Sequence, residues 1–220
     1  IRMSLPVSEK VITPESSGVT KEKLDAFLKV LTPQSRVAYD LTMAEDDADT
    51  ECGVLDTKAG GIGFLSEDEE LPQCGECGEQ MALVVQLNLS QLPEDVQESL
   101  RLGDEGLIQL YMCKIEDTDC ETWEAFSTAE LVRFVPPEDM ENARTREDIL
   151  SLYESEDKVY REAPIVGVVK RAQDFPKGDE MSFGVDHNDD MYNALHEFVW
   201  ENGATSGIHV GGWFNWCQGV

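Results

Sequence analysis

Leu71-Pro72-Gln73-Cys74-Gly75-Glu76-Cys77-Gly78, followed almost at once by Met81-Ala82-Leu83-Val84-Val85-Gln86-Leu87-Asn88-Leu89, joins a Cys-x2-Cys turn to an apolar run with a β-branched centre. The run reads as a strand, so a turn bearing two thiols opens it. Pro93 to Leu100 carries proline and acids in its first turn and reads as a short helix, with Gly103 placed to end it. Gly106 to Cys113 is a second strand, and Cys120 follows shortly after it. If the two strands are antiparallel neighbours joined through the short helix, the start of the first lies beside the end of the second. Cys74, Cys77, Cys113 and Cys120 then converge. Four soft ligands suit a structural Zn²⁺, and glycines at 75 and 78 free the backbone to wrap its amides round the sulfurs. A closed four-cysteine site leaves no position for water, so it stabilises a fold rather than catalysing a reaction.

Two other readings of these cysteines stand beside the metal. Cys74 and Cys77 resemble a thioredoxin-like redox pair in spacing, but that motif sits at a helix N-terminus after a strand. Here the pair precedes a strand among acids, which raise thiol pKa values. Cys113 and Cys120 also read as ordinary buried thiols or as a reversible disulfide. Cys52 and Cys217 have no partner by spacing and read as core thiols.

Outward from this centre, Thr20 precedes a run in which Leu24, Phe27, Leu28 and Leu31 fall at i, i+3, i+4 and i+7, an amphipathic helix stopped by Pro33. Arg36 to Met43 reads as a strand leading into the acidic Glu45–Glu51 run, which lacks the spacing of a calcium loop. Lys58-Ala59-Gly60-Gly61-Ile62-Gly63-Phe64 is glycine-rich but has no Gly-Lys-Ser/Thr ending and runs into Glu67-Asp68-Glu69-Glu70, so it is not a phosphate loop. Thr128 to Val135 is a third strand, and Pro136-Pro137 the best boundary. Beyond it come a helix from Thr145 to Tyr153, a strand from Ala163 to Val169, and a helix from Asp189-Asp190 to Gly203 with Met191, Leu195, Phe198 and Val199 on one face. His209-Val210-Gly211-Gly212-Trp213 then echoes Lys58-Ala59-Gly60-Gly61, which suggests duplication.

The chain has 220 residues, and 17 Lys+Arg against 45 Asp+Glu leave a net charge of −28. A phosphate backbone is repelled by most of such a surface, so general nucleic-acid binding is disfavoured and a basic partner favoured. Apolar segments recur throughout, so the acidity belongs to a folded surface rather than to a disordered tail. No stretch reaches the apolar length of a membrane span and Ile1–Pro6 opens no signal peptide, so a cytoplasmic location is expected. No nucleophile elbow, zinc-protease helix or dinucleotide fingerprint occurs. His187, His196 and His209 have no catalytic partner by spacing, and with so many acids some carboxylate pair falls at every spacing by chance. Trp213, Phe214 and Trp216 beside Gly211-Gly212 read as core at an element's end, or as a binding platform.

In order, these motifs resemble the YwqG-like family of bacterial proteins: Gly60-Gly61, Leu71-Pro72-x-Cys74-x2-Cys77-Gly78-x2-Met81, Gln86-Leu87-Asn88-Leu89, Leu92-Pro93, Gly106-Leu107-Ile108-Gln109-Leu110-Tyr111 and Gly211-Gly212-Trp213-x2-Trp216-x-Gln218-Gly219. The resemblance runs from about Lys58 onward. That family is distantly similar to the programmed-cell-death-two zinc proteins, which assist ribosomal-protein handling. It implies a mixed α+β fold with internal duplication. Longer relatives place another Cys-x2-Cys unit after the second Gly-Gly-Trp element, so a chain stopping at Val220 is expected to end part-way through the second repeat.

The expected architecture is therefore α+β, with mostly antiparallel sheets and short helices. It comprises a flexible segment over 1–20, a first repeat with the zinc knuckle over 21–137, and a second, incomplete repeat over 138–220. The expected function is a non-enzymatic, acidic, zinc-stabilised protein-binding module. In its concrete forms it is an immunity- or antitoxin-like protein, or an escort of a basic toxin or ribosomal-type partner. Glu67, Asp68, Glu69, Glu70, Trp213 and Trp216 are the candidate contact residues. The alternative is an RNA-processing or small-molecule enzyme of the same family, using Lys58, Arg133, Lys170 and Arg171.

Overall fold

The computed structural model describes residues 4–44, 51–114, 120–122, 124, 127–176, 190–202 and 207–212. Most of the Glu45–Glu51 run, His187, Gly203, and the Trp213, Phe214, Trp216 and Cys217 cluster lie outside the described residues. The fold is α+β and mainly antiparallel, and it divides into two units that are discontinuous in sequence. The first comprises Ile1–Leu5 with Thr42–Val166, and the second Pro6–Leu41 with Gly167–Val220. The Pro136-Pro137 pair lies within the first. Among the described residues no helix is long and apolar enough to cross a membrane.

In the second unit, β1 (Val7–Lys10) pairs in parallel with part of β7 (Ala163–Asp174). Residues 1–20 thus include a strand. They also include a helical turn, α1 (Pro14–Ser17), fixed by a reciprocal cap between Thr13 and Ser16 and closed by Gly18 in the left-handed region. The helix expected after Thr20 is α2 (Lys21–Leu31), whose first turn is capped by the Thr20 hydroxyl accepting from Lys23 N–H. Its buried Leu24, Phe27 and Leu31 pack with Leu195, Phe198 and Val199 of α5 (Asp190–Asn202), the Phe27 and Phe198 rings lying 5.0 Å apart. Met191, expected on that face, is exposed. β2 (Arg36–Met43) pairs antiparallel with β8 (His209–Gly211). Arg171 is buried between Asp40, at 2.7 Å, and Asp174.

The first unit is built on β4 (Met81–Asn88) and β5 (Leu107–Cys113), antiparallel over their whole length from Met81↔Cys113 to Asn88↔Leu107. The short β3 (Lys58–Ala59) flanks β4, and the first residues of β7 flank β3. β6 (Glu130–Val135) flanks β5. Between β4 and β5 runs α3 (Glu94–Leu100); it ends at Arg101, which takes the left-handed conformation expected of Gly103, two residues earlier. A short α4 (Arg146–Leu150), capped by Thr145, packs Ile149 against Ile62, Leu65 and Leu71.

The polar residues inside β4 and β5 do work that alternation does not reveal. Gln86, Asn88 and Gln109 are buried. Gln86 accepts from Phe64 N–H at 2.8 Å and donates to the carbonyls of Val54 and Asp56. Asn88 donates to Leu55 O, and Gln109 to Phe64 O. These amides take the place of strand partners for the irregular segment on either side of β3, whose backbone groups would otherwise be buried unpaired.

The Gly60-Gly61 turn depends on φ near +61° and +69°, a region that L residues with a Cβ rarely occupy. A Cβ at Gly60 would also overlap the Arg161 carbonyl. Gly60→Ala is therefore expected to cost about 2 kcal/mol or more, from the left-handed penalty plus a backbone clash that cannot rotate away. Chemical denaturation of the variant, with an unchanged denaturant slope, checks this.

A four-cysteine candidate metal centre

The knuckle is a tight hairpin. Gln73 and Gln80 bridge its stem, Cys74 N–H donates to Glu79 O, and Gly78 N–H donates to Cys74 O at 2.8 Å. Its two glycines serve different ends. Gly78 supplies φ +78°, while Gly75 leaves room for Thr128, whose Cβ would stand 2.6 Å from a Cβ at position 75. The backbone amides of Glu76 and Cys77 point at the Cys74 sulfur. Burial works against its thiolate, yet these hydrogen bonds together with those to the Cys77 and Cys120 sulfurs outweigh burial and hold the Cys74 thiol below its ordinary pKa.

The antiparallel β4–β5 register places Cys113 opposite Met81, at the mouth of the knuckle. Cys113 N–H donates to Ala129 O, so the chain returning toward β6 is fastened beside it, and Cys120 comes from that return. All four sulfurs lie within 4.8 Å of one another. Cys77 and Cys113 stand 3.7 Å apart and Cys74 and Cys120 3.8 Å apart. A Zn²⁺ with Zn–S bonds of about 2.3 Å needs a tetrahedron with edges of about 3.8 Å. The residues therefore fit the ion, and these separations are too long for disulfide bonds. The cluster packs against Met81, Leu83, Tyr111 and Ala129, and only Cys77 is partly exposed. Such a setting closes a metal to substrate and lowers the dielectric around it.

Glu76 is a positioning residue that the Cys-x2-Cys spacing alone did not mark. Its carboxylate accepts from Ser127 Oγ at 2.6 Å and from Glu121 N–H at 3.0 Å, which ties the knuckle to the segment carrying Cys120. The same two bonds keep its carboxyl below the usual carboxylate range. Glu76→Ala is expected to weaken zinc retention roughly 10–100-fold against a competing chelator while the far-ultraviolet circular dichroism stays unchanged.

The other expected site residues are dispersed. Glu69 is engaged by Arg133 at 2.7 Å, whereas Glu67, Asp68 and Glu70 are exposed or nearly so. Of the cations offered for an enzymatic cleft, Lys58 is buried against Glu162 and Arg171 between two aspartates, while the half-buried Arg133 is bound by Glu69 and Gln109. These three are consumed inside the fold. His196 is half-buried and stacks with Trp200, and Cys52 is a buried thiol, as its sequence reading expected.

No curated protein matches the chain. Residues 57–219, which hold the knuckle, the β4–β5 pair and both glycine turns, match the family model described as "Domain of unknown function (DUF1963)", and the chain belongs to that family.

Proposed function

We propose that this chain is a non-enzymatic, acidic protein-binding module of the YwqG-like kind. A structural Zn²⁺ on Cys74, Cys77, Cys113 and Cys120 stiffens it, and it captures a basic protein as an immunity-like neutraliser or as an escort. The observation that carries the reading is the closed sulfur tetrahedron in a chain of net charge −28. Four protein ligands leave Zn²⁺ no open position, so the ion serves as a scaffold. An acidic surface speeds encounter with a basic partner and slows it with nucleic acid. Zinc would supply fold rigidity; the surface chemistry belongs to the chain's own carboxylates.

The test pairs metal analysis with affinity capture in the native host. About one zinc per chain, together with a basic partner whose association slows as salt rises, supports the reading. Capture that is indifferent to salt removes its main support.

A further inference from the structure

β6 is the outer strand of the first unit's sheet. Its inner edge pairs with β5, and among the described residues no strand and no backbone hydrogen bond occupies its outer edge. In an antiparallel pair, every second residue of such an edge turns its N–H and C=O outward, a template for another strand. Past the exposed Glu130 at its start, one face of this edge is also apolar. Val132 is 68 % exposed and Phe134 42 %. They share a face with Leu110 and Ile108, which lie directly opposite them on β5 and are only half-buried. Soluble proteins usually blunt such an edge with charge, proline or a covering element. Here Pro136 ends the strand and leaves its length open.

The opposite face differs in character. There the end of β6, at Arg133 and Val135 and reached also by Phe134, borders a cavity of about 370 Å³ whose lining includes Glu67, Asp68, Glu138 and Asp139. Arg133 is already paired with Glu69, and none of those four acids has an ion-pair partner among the described residues. Successive side chains of an added strand point to opposite faces. One set would lie on Val132 and Phe134, the other beside the acidic cavity.

We propose that β6 is the docking edge for the basic partner. An extended segment that alternates apolar with Lys or Arg residues adds to the sheet as a further strand, with its cations directed to the Glu67, Asp68, Glu138 and Asp139 rim. This rests on the basic-partner reading above and names where that partner engages. Charge selects this occupant over a second copy of the chain, because two copies would bring together two bodies of net charge −28. Backbone hydrogen bonds supply affinity and the two faces supply specificity.

The probe is a synthetic ten-residue peptide alternating valine and lysine, titrated against the zinc-loaded full chain and followed by anisotropy and hydrogen exchange. Binding that slows exchange of β6 amides is expected. The affinity should fall at least about tenfold in Val132→Lys and in Glu138→Lys/Asp139→Lys, both at exposed positions. A valine–glutamate peptide, or one N-methylated at alternate residues, should not bind. Binding without β6 protection, indifference to both variants, or β6 protection that rises with protein concentration in the absence of peptide would each overturn the docking edge. The last of these would make β6 a self-association edge. If the captured basic partner binds both variants as tightly as the unaltered chain, the docking edge falls while the basic-partner reading stands. If no basic protein binds in a salt-dependent way, that reading itself falls.

Discussion

Changing Cys74 or Cys113 to serine is expected to abolish zinc retention and to lower the stability of the first unit by about 4 kcal/mol, the contribution of a ligand held at roughly 1,000 times its dissociation constant. The two positions are chosen because they reach the cluster from different elements. Cys74 comes from the knuckle before β4 and Cys113 from the end of β5, across the Met81↔Cys113 register. A metal that joins them fastens a turn to a strand end and, through Cys120, to the return toward β6. Stripping the unaltered chain with a chelator should reproduce the loss, whereas the serine variants should melt at the same temperature with or without chelator. Cys52→Ser serves as the control. Cys52 is buried away from the sulfur cluster, so zinc content should stay at about one equivalent in that variant. Unchanged zinc content in Cys74→Ser would remove the site from consideration.

The cluster was legible because it depends on one inference, that two apolar runs joined by a short helix pair antiparallel. Once they do, the spacing of Cys74, Cys77, Cys113 and Cys120 leaves the sulfurs little choice. The burial of Gln86, Asn88 and Gln109 was not legible. A strand pattern reports which face a residue takes, but those amides are directed at loop backbone that is distant in sequence, and no periodicity encodes it. β1 escaped notice for a related reason. Val7–Lys10 is exposed at all four residues and lacks apolar alternation, so its strand character comes wholly from its parallel partner in β7.

The glycine turns were seen, and the acids behind them were not. Gly60, Gly61, Gly211 and Gly212 all have φ between +61° and +76°. In the first unit Gly61 lies against Glu162, and in the second a Cβ at Gly212 would stand 2.5 Å from the Asp174 carboxylate. Each turn thus needs a glycine partly because a buried carboxylate passes over it. Glu162 and Asp174 are two acids among 45, and composition could not single them out.

Glu162→Gln is expected to cost about 3–5 kcal/mol, the range for breaking a buried ion pair from one side. Lys58 has no exposed side-chain surface; its ammonium donates to Glu162 at 3.1 Å and to Gly53 O, and Arg146 reaches the same carboxylate oxygen at 3.0 Å. The second carboxylate oxygen accepts from Cys52 N–H. With glutamine in place, a buried ammonium loses the charge that offsets its desolvation. Burial already draws the Lys58 amine below its ordinary value, with Glu162 as the chief opposing influence. Without Glu162 the neutral amine gains, so the variant should recover part of its lost stability as pH rises toward the free-lysine value of about 10.4, because the unfolded chain then binds more protons. In acid the unaltered protein follows the same sign through Glu162. Burial pushes the Glu162 carboxyl up, but Arg146, Lys58 and the Cys52 amide hold it below the usual range. Its contribution is present above about pH 4.3 and is lost as pH falls through the folded value, so the gap between the unaltered chain and Glu162→Gln should narrow there. Adding Lys58→Met to Glu162→Gln should restore part of the stability, since it removes the buried ammonium left without its counter-charge. Denaturant titrations of the unaltered chain and the two variants across pH check all four expectations. A Glu162→Gln cost below about 1 kcal/mol at pH 7 would mean that water reaches Lys58.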